Sequence, residues 1–335
     1  MSKRPTLYDV AALAGVSHQT VSRLVKGHTN IGPELRTRVE LAIATLDYRP
    51  NMVARSLATS RSNRIGCLFF DRFDEVGPTR IAQAASDRAR EAGYFLDIVA
   101  MDPRDSDEIQ RAMSLIHSGG LAGVMVFAPT SRVVDAMQSM TIPVPYSVEI
   151  DTINPLANGE LSVSNLGTRL LVQHLVSLGH SRFFTITGPL DWFAAATRLE
   201  AYRSEIERTG VSAVGHLEGD WGAQSGYDLA KRMPLDAGVT ALVVANDQMA
   251  LGAMRALNER GVRVPDQMSV VGFDDIPEAK FFTPSMTTLR LDFEREGRLA
   301  MDRLINMIDG EWPVPDETPH WPSLVLRESS AAAPR

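Results

Sequence analysis

The chain has 335 residues, 44% of them hydrophobic, and a formal net charge of −7. This length allows two or three domains with ordinary cores, and a single cysteine, Cys67, excludes an internal disulfide. Apolar runs fall short of the roughly 20 residues that span a membrane, and the N-terminus lacks the apolar region of a secretion signal. We therefore expect a cytoplasmic protein without a membrane segment, with Cys67 buried in a core.

The charge is unevenly distributed along the chain. Residues 1–61 contain nine Lys and Arg against four Asp and Glu, a surplus of +5, which leaves −12 for the remainder. A basic segment attracts phosphate groups, whereas an acidic body discourages unproductive contact with them. The N-terminal segment is therefore the predicted nucleic-acid-binding part.

The first predicted helix begins just after Thr6. Thr6 and Asp9 have the spacing of a capping box, and the inner face of the helix would carry Val10 and Leu13. Gly15 then permits a sharp turn.

A second helix is predicted after this turn, capped by Ser17. Its inner face would carry Val21, Leu24 and Val25. Arg and Gln on the outer face can pair with guanine and adenine in the major groove, which makes His18, Gln19 and Arg23 the expected base-reading residues. Two short helices at this spacing are typical of a helix-turn-helix, although a small helical bundle with a solvated face is the alternative.

Hydroxyl, amide and basic side chains around the second helix can hold phosphate groups. The expected contacts are Ser17, Thr20, Ser22, Lys26 and Asn30. A third helix, predicted from Pro33 to about Leu46, would close the core with Leu35, Val39, Ile43 and Leu46. Residues 48–58 could form a helix, but they lack a long apolar stripe, so this helix would be marginal alone.

From residue 65 the pattern changes to strands alternating with helices, which predicts parallel α/β architecture. In the first unit, strands are expected at Ile65–Phe70, Phe95–Ala100 and Gly123–Phe127, and helices at Thr79–Ala92 and Asp105–His117. In the second, strands are expected at Phe183–Thr187, Ala241–Ala245 and Ser269–Phe273, and helices at Ser164–Leu178, Ala194–Thr209 and Asp247–Arg260. A helix at Phe293–Ile308 and a strand at Leu324–Leu326 are left over, so we expect the chain to cross back between the two units.

Polar and aromatic residues follow the predicted strands. In open parallel sheets ligands bind beyond the carboxyl ends of the strands, so these loops should line a cleft. Carboxylate, amide and guanidinium groups pair with hydroxyls, and aromatic rings cover the apolar face of a sugar ring. The loops therefore predict a site for a neutral polyol. Its candidate residues are Asp71, Arg72, Phe73, Asp74, Trp192, Phe193, Arg198, Asn246, Asp247, Asp274 and Asp275.

Five motifs resemble the lactose/galactose-repressor family, and the resemblance covers nearly the whole chain. They are Thr6–Ala11, Ala14–Arg23, Tyr48–Arg55, Asn246–Arg255 and Ser269–Asp275. The resemblance implies an all-α helix-turn-helix headpiece and an α/β body of two flavodoxin-like subdomains with parallel sheets, as in periplasmic sugar-binding proteins. The implied domains are a headpiece at 1–49, a hinge helix and linker at 50–62, an N-terminal subdomain at 63–161 and 291–321, and a C-terminal subdomain at 162–290 and 322–335.

The family further implies a hinge helix that orders on operator DNA and pairs with its copy in a homodimer. The implied hinge contacts with the minor groove or phosphates are Asn51, Val53, Ala54 and Leu57. Leu57 would be the apolar wedge that kinks the duplex, with packing on the headpiece as the alternative. Because the chain ends without leucine heptads, we expect a dimer without the tetramer-forming tail found in the family.

Four residues match the family's ligand contacts: Arg198, Trp221, Asn246 and Asp274. The alternatives are a solvated arginine for Arg198, capping or turn chemistry for Asn246 and Asp274, and surface packing for Trp221 and for the further candidate Trp192. Asp247 is as consistent with capping a helix as with binding a ligand. Trp192 and Phe193 would suit a β-galactoside or a larger disaccharide, so the identity of the ligand stays open.

These features predict a transcriptional repressor of sugar-utilisation genes that binds a pseudo-palindromic operator and is released by a sugar effector. We expect no enzyme activity, cofactor or metal. The alternatives are a regulator with a non-sugar or co-repressing ligand, or an effector-free regulator with a protein partner. A transport protein is disfavoured by the basic headpiece, and a glycosidase would need Glu149 paired with Asp274 or Asp275.

Overall fold

The computed structural model describes residues 5–25, 31–48, 62–69, 76–102, 105–118, 120–139, 141–149, 162–311 and 321–334. The chain forms two compact units, which we call the N-terminal unit and the body, and it divides between Asn63 and Arg64. Several predicted contact residues lie outside the described residues and stay predictions: Lys26, Asn30, Asn51, Val53, Ala54, Leu57, Asp71, Arg72, Phe73 and Asp74.

The described part of the N-terminal unit consists of the helices α1 (Leu7–Ala14), α2 (His18–Val25) and α3 (Pro33–Thr45). The predicted capping box is present, because Thr6 Oγ1 accepts the Asp9 N–H at 3.4 Å and the Asp9 carboxylate accepts the Thr6 N–H at 2.7 Å. Gly15 ends α1 at a φ of 63°. Arg38 of α3 donates to the Ala14 carbonyl at 2.6 Å and so fastens the turn to the third helix.

The core of this unit is built around Val10, Val21 and Val39, which are fully buried. Two of the residues predicted to face inward do not, since Leu13 is 53% and Leu35 is 37% exposed. Small residues accompany Val10 on the inner face of α1, namely Ala11 and Ala14. That face is centred away from Leu13, so the larger side chain turns towards solvent.

The first half of the body is a parallel sheet with helices around it. Its strands are β1 (Arg64–Phe69), β2 (Phe95–Ala100), β3 (Gly123–Phe127) and β4 (Tyr146–Glu149), and its helices are α4 (Val76–Glu91), α5 (Ser106–Ser118) and α6 (Ser131–Gln138). The strand order is β2–β1–β3–β4. Cys67 on β1 faces Ile98 of β2 and Met125 of β3 in the register, and it is fully buried as predicted. Burial raises the pKa of its thiol to about 12.

The second half repeats this arrangement. Its helices are α7 (Val163–Ser177), α8 (Phe193–Thr209), α9 (Ala223–Arg232) and α10 (Asp247–Glu259), and its strands are β5 (Arg182–Thr187), β6 (Ser212–Glu218), β7 (Ala241–Val244) and β8 (Ser269–Val271). The strand order β6–β5–β7–β8 matches that of the first sheet, and every pairing is parallel. The predicted pair of parallel α/β units is therefore confirmed.

The last elements return to both halves. They are β9 (Thr288–Arg290), α11 (Phe293–Asp309) and β10 (Ser323–Val325). Helix α11 packs on α4 so closely that a Cβ at Gly297 would lie 2.2 Å from the Ile81 carbonyl oxygen. The chain then comes back, since β10 pairs antiparallel with β9. This agrees with the expected crossing between the halves, while the domain boundaries stay predictions.

Some elements were not predicted from the sequence: α6, β4, β6, α9 and β9. β4 and β6 lie at sheet edges and are half-exposed, so they lack the continuous apolar run that identified the central strands. Among the helices that the structure describes, none is both long and apolar enough for a membrane span.

Candidate functional site

The outer face of α2 carries the predicted base-reading residues. His18, Gln19 and Arg23 are exposed, and Ser17 lies at the start of the helix. The Ser17 hydroxyl accepts the Thr20 N–H at 3.2 Å, which confirms that Ser17 caps α2. Thr20 and Ser22 are half-buried beside the exposed residues.

Tyr8 is a surface residue that the sequence analysis missed. It is 68% exposed on α1, and its ring lies 5.2 Å from the ring of His18. Its place in the first turn of a capped helix, two residues before the buried Val10, was the available signal. Tyr8 extends the polar face of α2 onto α1.

In the body, Arg198 lies where the ends of several elements meet. It projects from α8, stacks 3.7 Å from the centre of the Phe273 ring, and donates to the Ala245 carbonyl and to the Ser164 hydroxyl. Its guanidinium also lies 3.9 Å from the Asp274 carboxylate. The alternative of a solvated arginine is wrong, because Arg198 is 9% exposed.

The indole of Trp221 packs against Arg198 next to the end of β5. It lies directly over Gly188, where a Cβ would come within 2.3 Å of the ring. The ring contacts Arg198 at 5.6 Å and Trp192 edge-to-face at 5.9 Å. Trp221 adopts a φ of 75°, a left-handed conformation that is costly for a bulky residue and that clusters at binding sites. The alternative of simple surface packing is wrong, since Trp221 is 4% exposed.

Asn246 and Asp247 begin α10 with different roles. Asn246 is the N-cap, because its Oδ1 accepts the Met249 N–H at 2.9 Å while its Nδ2 donates to the Trp221 carbonyl at 2.9 Å. The suggestion that Asp247 caps this helix is therefore wrong. Its fully buried carboxylate instead accepts from the Ile276 N–H and the Thr288 hydroxyl.

Asp247 is fully buried next to the site residue Asp274. Desolvation, followed by the nearby Asp274 carboxylate, raises its pKa well above the ordinary value. With both carboxylate oxygens bonded inside the protein, Asp247 supports the loop after β8. Whether it contacts a ligand stays a prediction.

The two aspartates after β8 also divide their roles. Asp274 has a φ of 108° and holds its carboxylate near Arg198. Asp275 is bonded to Arg290 at 2.7 Å and to Arg327 at 2.6 Å, and these hydrogen bonds keep its pKa below the ordinary value despite burial. The structure therefore places Asp274 at the site and ties Asp275 to the two crossover segments.

Five of the predicted residues of the second half form one connected group, which we call the Arg198 cluster. Its members are Trp192, Arg198, Trp221, Asn246 and Asp274. They lie beyond the carboxyl ends of the second sheet, where ligands of open α/β folds bind. Guanidinium, amide and carboxylate groups beside indole rings are suited to hydroxyl-rich ligands.

The first half meets this cluster at the start of α8. Thr130 and Trp192 form an antiparallel β-bridge, and the Phe193 N–H donates to the Pro129 carbonyl at 2.8 Å. Beside this bridge lies a cavity of about 350 Å³, lined by Thr130–Arg132 of the first half and by Leu190–Phe193 and Ala196 of the second. We call it the bridging cavity.

Glu149, the partner that a glycosidase would require, is otherwise engaged. Arg303 of α11 forms an ion pair with its carboxylate at the end of β4. Because Asp275 is also held between two arginines, neither carboxylate has the setting of a paired acid and nucleophile.

Comparison with known proteins agrees with both units. Residues 6–51 match the family model described as bacterial regulatory proteins, lacI family, and residues 172–330 match the periplasmic binding protein-like domain. The lactose operon repressor of Escherichia coli (strain K12) is 35% identical over 313 residues, covering 92% of this chain and 86% of that protein.

Two solved structures are similar over nearly the whole chain. One is the lac repressor dimer bound to operator and the anti-inducer ONPF, with a TM-score of 0.82, 34% identity, and coverage of 98% of this chain and 100% of that chain. The other is the complex of the transcriptional regulator CelR with cellobiose, with a TM-score of 0.68, 28% identity, and the same coverage. These relatives are transcriptional regulators and not enzymes. The chain belongs to the lacI family of bacterial regulatory proteins.

Proposed function

We propose that the protein is a transcriptional repressor that binds operator DNA through α2 and leaves it when a sugar binds at the Arg198 cluster. The main support for a sugar response is that four side chains meet beyond the carboxyl ends of one sheet. They are Trp192, Arg198, Trp221 and Asp274. The similarity to the CelR–cellobiose complex supports a sugar as the ligand class.

On DNA, the exposed face of α2 enters the major groove. His18, Gln19 and Arg23 read base edges, while Ser17 and Thr20 contact phosphates. A homodimer presents two such helices to half-sites one helical turn apart, so the operator is pseudo-palindromic. The similar lac repressor structure is a dimer bound to operator. When bound to its operator, the protein is associated with the nucleoid.

In the body, each member of the Arg198 cluster has a role that its chemistry supports. Arg198 and Asp274 form hydrogen bonds to neighbouring sugar hydroxyls, Asn246 adds an amide, and the indole of Trp221 covers the apolar face of the ring. The ligand favours an arrangement of the two halves in which the hinge segments no longer hold the operator.

The test uses an operator duplex selected by the full-length protein from a pool of random sequences. Its fluorescence anisotropy is followed while a panel of mono- and disaccharides is added. We expect at least one sugar to release the duplex. If no sugar changes operator binding, the proposed sugar response is wrong, and a sugar that tightens binding would establish co-repression in place of induction.

The α2 assignment is tested by substitution. His18→Ala, Gln19→Ala and Arg23→Ala should each change which base pairs are preferred, at a cost of about 1–3 kcal/mol against the original site. Lys26→Ala, the phosphate-binding control, should weaken binding to all sequences alike. Binding to a library of operator variants measures both effects, and a uniform loss for all four variants would contradict base reading by α2.

A further inference from the structure

We infer that Tyr202 is a positioning residue for the sugar site, because its hydroxyl holds a buried water molecule that helps to fix Arg198. The residues that connect this water to Arg198 are Thr168 and Ser164 of α7. The inference rests on the proposed function, since it depends on the sugar-binding role of Arg198. It gives a role to a buried polar group that lies outside the Arg198 cluster.

Tyr202 lies on α8 with its hydroxyl inside the protein. Only 2% of the residue is exposed, and its oxygen has no hydrogen-bond partner among the residues that the structure describes. Burial removes a hydroxyl from bulk water, so buried hydroxyls are rarely left without a partner. Desolvation also raises the pKa of Tyr202, so the hydroxyl keeps its proton at neutral pH and can donate it.

A small cavity adjoins Tyr202 between α7, α8, β5 and β7. Its volume of about 10 Å³ is close to the roughly 10–15 Å³ that one water molecule needs. Arg198 also lines this cavity, and each lining residue is at most 9% exposed, so the cavity lies inside the body. A single water molecule therefore fits next to both Tyr202 and Arg198.

Two threonines supply hydrogen-bond acceptors at the same cavity. The Thr168 hydroxyl donates its proton to the Ser164 carbonyl at 2.9 Å, and the Thr185 hydroxyl donates to the Val243 carbonyl at 2.8 Å. Each threonine oxygen keeps lone pairs that can accept a further proton. A water molecule can donate to these two oxygens and accept from the Tyr202 hydroxyl, which gives it about three hydrogen bonds, the usual number for a buried water.

Thr168 connects this water to Arg198 through Ser164. The Ser164 carbonyl accepts from the Thr168 hydroxyl, while the Ser164 hydroxyl accepts from Arg198 Nε at 3.3 Å. Tyr202 follows Arg198 by four residues on α8, so the two side chains lie on the same face of the helix. A water bound to both helices would therefore hold Ser164 where it meets the guanidinium. Without this water, Arg198 would keep its stack on Phe273 but lose part of the support of its Nε.

Tyr202→Phe tests this role, because the substitution removes only the hydroxyl. Calorimetry measures the binding of glucose, galactose, lactose and cellobiose to the full-length protein, and thermal melting is followed without sugar. We expect the affinity for the sugar that binds the wild-type protein most tightly to fall about fivefold, as for the loss of one hydrogen bond. The melting temperature should also fall. Tyr227→Phe is the matched control and should leave the sugar affinity unchanged, because the Tyr227 hydroxyl bonds to Glu259 away from the cavity.

Two substitutions at Thr168 test the other side of the water. Thr168→Val keeps the shape but removes the hydroxyl, and it should weaken sugar binding about fivefold. Thr168→Ser keeps the hydroxyl and should bind sugar more tightly than the valine variant. The double variant Tyr202→Phe/Thr168→Val should bind about as weakly as the weaker single variant, because both substitutions remove the same water. Independent effects would instead multiply to about 25-fold.

The outcomes distinguish the positioning role from the proposed function. Unchanged sugar affinity in Tyr202→Phe would overturn the positioning role and leave the sugar-responsive repressor standing. A higher melting temperature in this variant would also overturn it, because that result is expected of a hydroxyl buried without a partner. Multiplied losses in the double variant would overturn the shared water. If no sugar produces heat with the wild-type protein and none releases the operator, the proposed function is overturned, and the positioning role with it.

Discussion

The two halves of the body have the same strand order, but their described strand ends carry different contacts. Beyond the second sheet, Arg198 donates to the Ala245 carbonyl after β7, lies 3.9 Å from the Asp274 carboxylate after β8, and is covered by Trp221 from the loop after β6. Beyond the first sheet, the described strand ends offer the Thr130 bridge and the Glu149–Arg303 ion pair. One topology thus supports an interlocked cluster beyond the second sheet and, among the described residues beyond the first sheet, a bridge to the second half and one ion pair.

This difference suggests that the two halves contribute to ligand recognition in different ways. The Arg198 cluster is held by hydrogen bonds, ring stacking and strained backbone, so its groups are already positioned for a ligand. The first half contributes side chains from the start of α6 at the boundary. We expect the second half to determine whether a sugar binds and the first half to determine which sugars bind best.

The largest expected effect is that of Arg198→Ala. Removing charge-assisted hydrogen bonds of about 1.5–3 kcal/mol each should weaken sugar binding by about 100-fold and abolish release of the operator. Calorimetry with the sugar that binds the wild-type protein measures the loss. Arg203→Ala, at an exposed position of the same helix, is the matched control. Wild-type sugar affinity in the Arg198 variant would contradict the expectation that the second half determines whether a sugar binds.

Gly188→Ala should have the next largest effect. The added methyl group would come within 2.3 Å of the Trp221 indole, so the ring must move away from Arg198. We expect sugar binding to weaken about tenfold and the tryptophan fluorescence of the ligand-free protein to change. At Gly32, by contrast, a Cβ meets nothing within 4 Å, which makes Gly32→Ala a control for the substitution itself. An unshifted spectrum with unchanged affinity would contradict the role of Trp221 as the cover of the site.

Two substitutions at Asn246 distinguish its role as a helix cap from its proposed role in ligand binding. Asn246→Ser keeps an oxygen that can cap α10, so the free energy of unfolding should fall by less than about 1 kcal/mol, whereas Asn246→Ala should cost about 1 kcal/mol or more. Both variants lose the amide that bonds to the Trp221 carbonyl, and both should bind sugar several-fold more weakly. Denaturant titration and calorimetry give the two readouts. Wild-type sugar affinity in the serine variant would show that Asn246 is a helix cap alone.

Arg303→Ala should have the smallest effect. Its ion pair with Glu149 is partly exposed, so the free energy of unfolding should fall by about 1 kcal/mol or less. Sugar affinity should stay within about twofold of the wild-type value, because Glu149 is bound within the first half and is not part of the Arg198 cluster. A loss as large as that of Arg198→Ala would show that the two halves share the sugar site equally.

The sequence predicted those features that depend on neighbouring residues. The capping box at Thr6, the turn at Gly15 and the buried central strands follow from local spacing, and the structure contains all of them. The polar residues at the strand ends were also identified, because a parallel sheet gathers them at one edge.

Features that depend on contacts between distant segments could not be predicted. The choice of Asn246 over Asp247 as the cap of α10 depends on Ile276 and Thr288, which occupy the aspartate. The exposure of Leu13 depends on which face of α1 packs inward, and that face carries Val10, Ala11 and Ala14. The bridging cavity arises where two loops meet that are about 60 residues apart, and no local pattern encodes it.

The coupling between sugar and operator is the central claim, and calorimetry on the full-length protein tests it most directly. Sugar affinity is measured with and without a saturating amount of the selected operator duplex. Because coupling between two sites is reciprocal, the operator should weaken sugar binding by the same factor by which the sugar weakens operator binding, about 5–150-fold for typical allosteric proteins. Equal sugar affinities in the two titrations would contradict a sugar-controlled repressor.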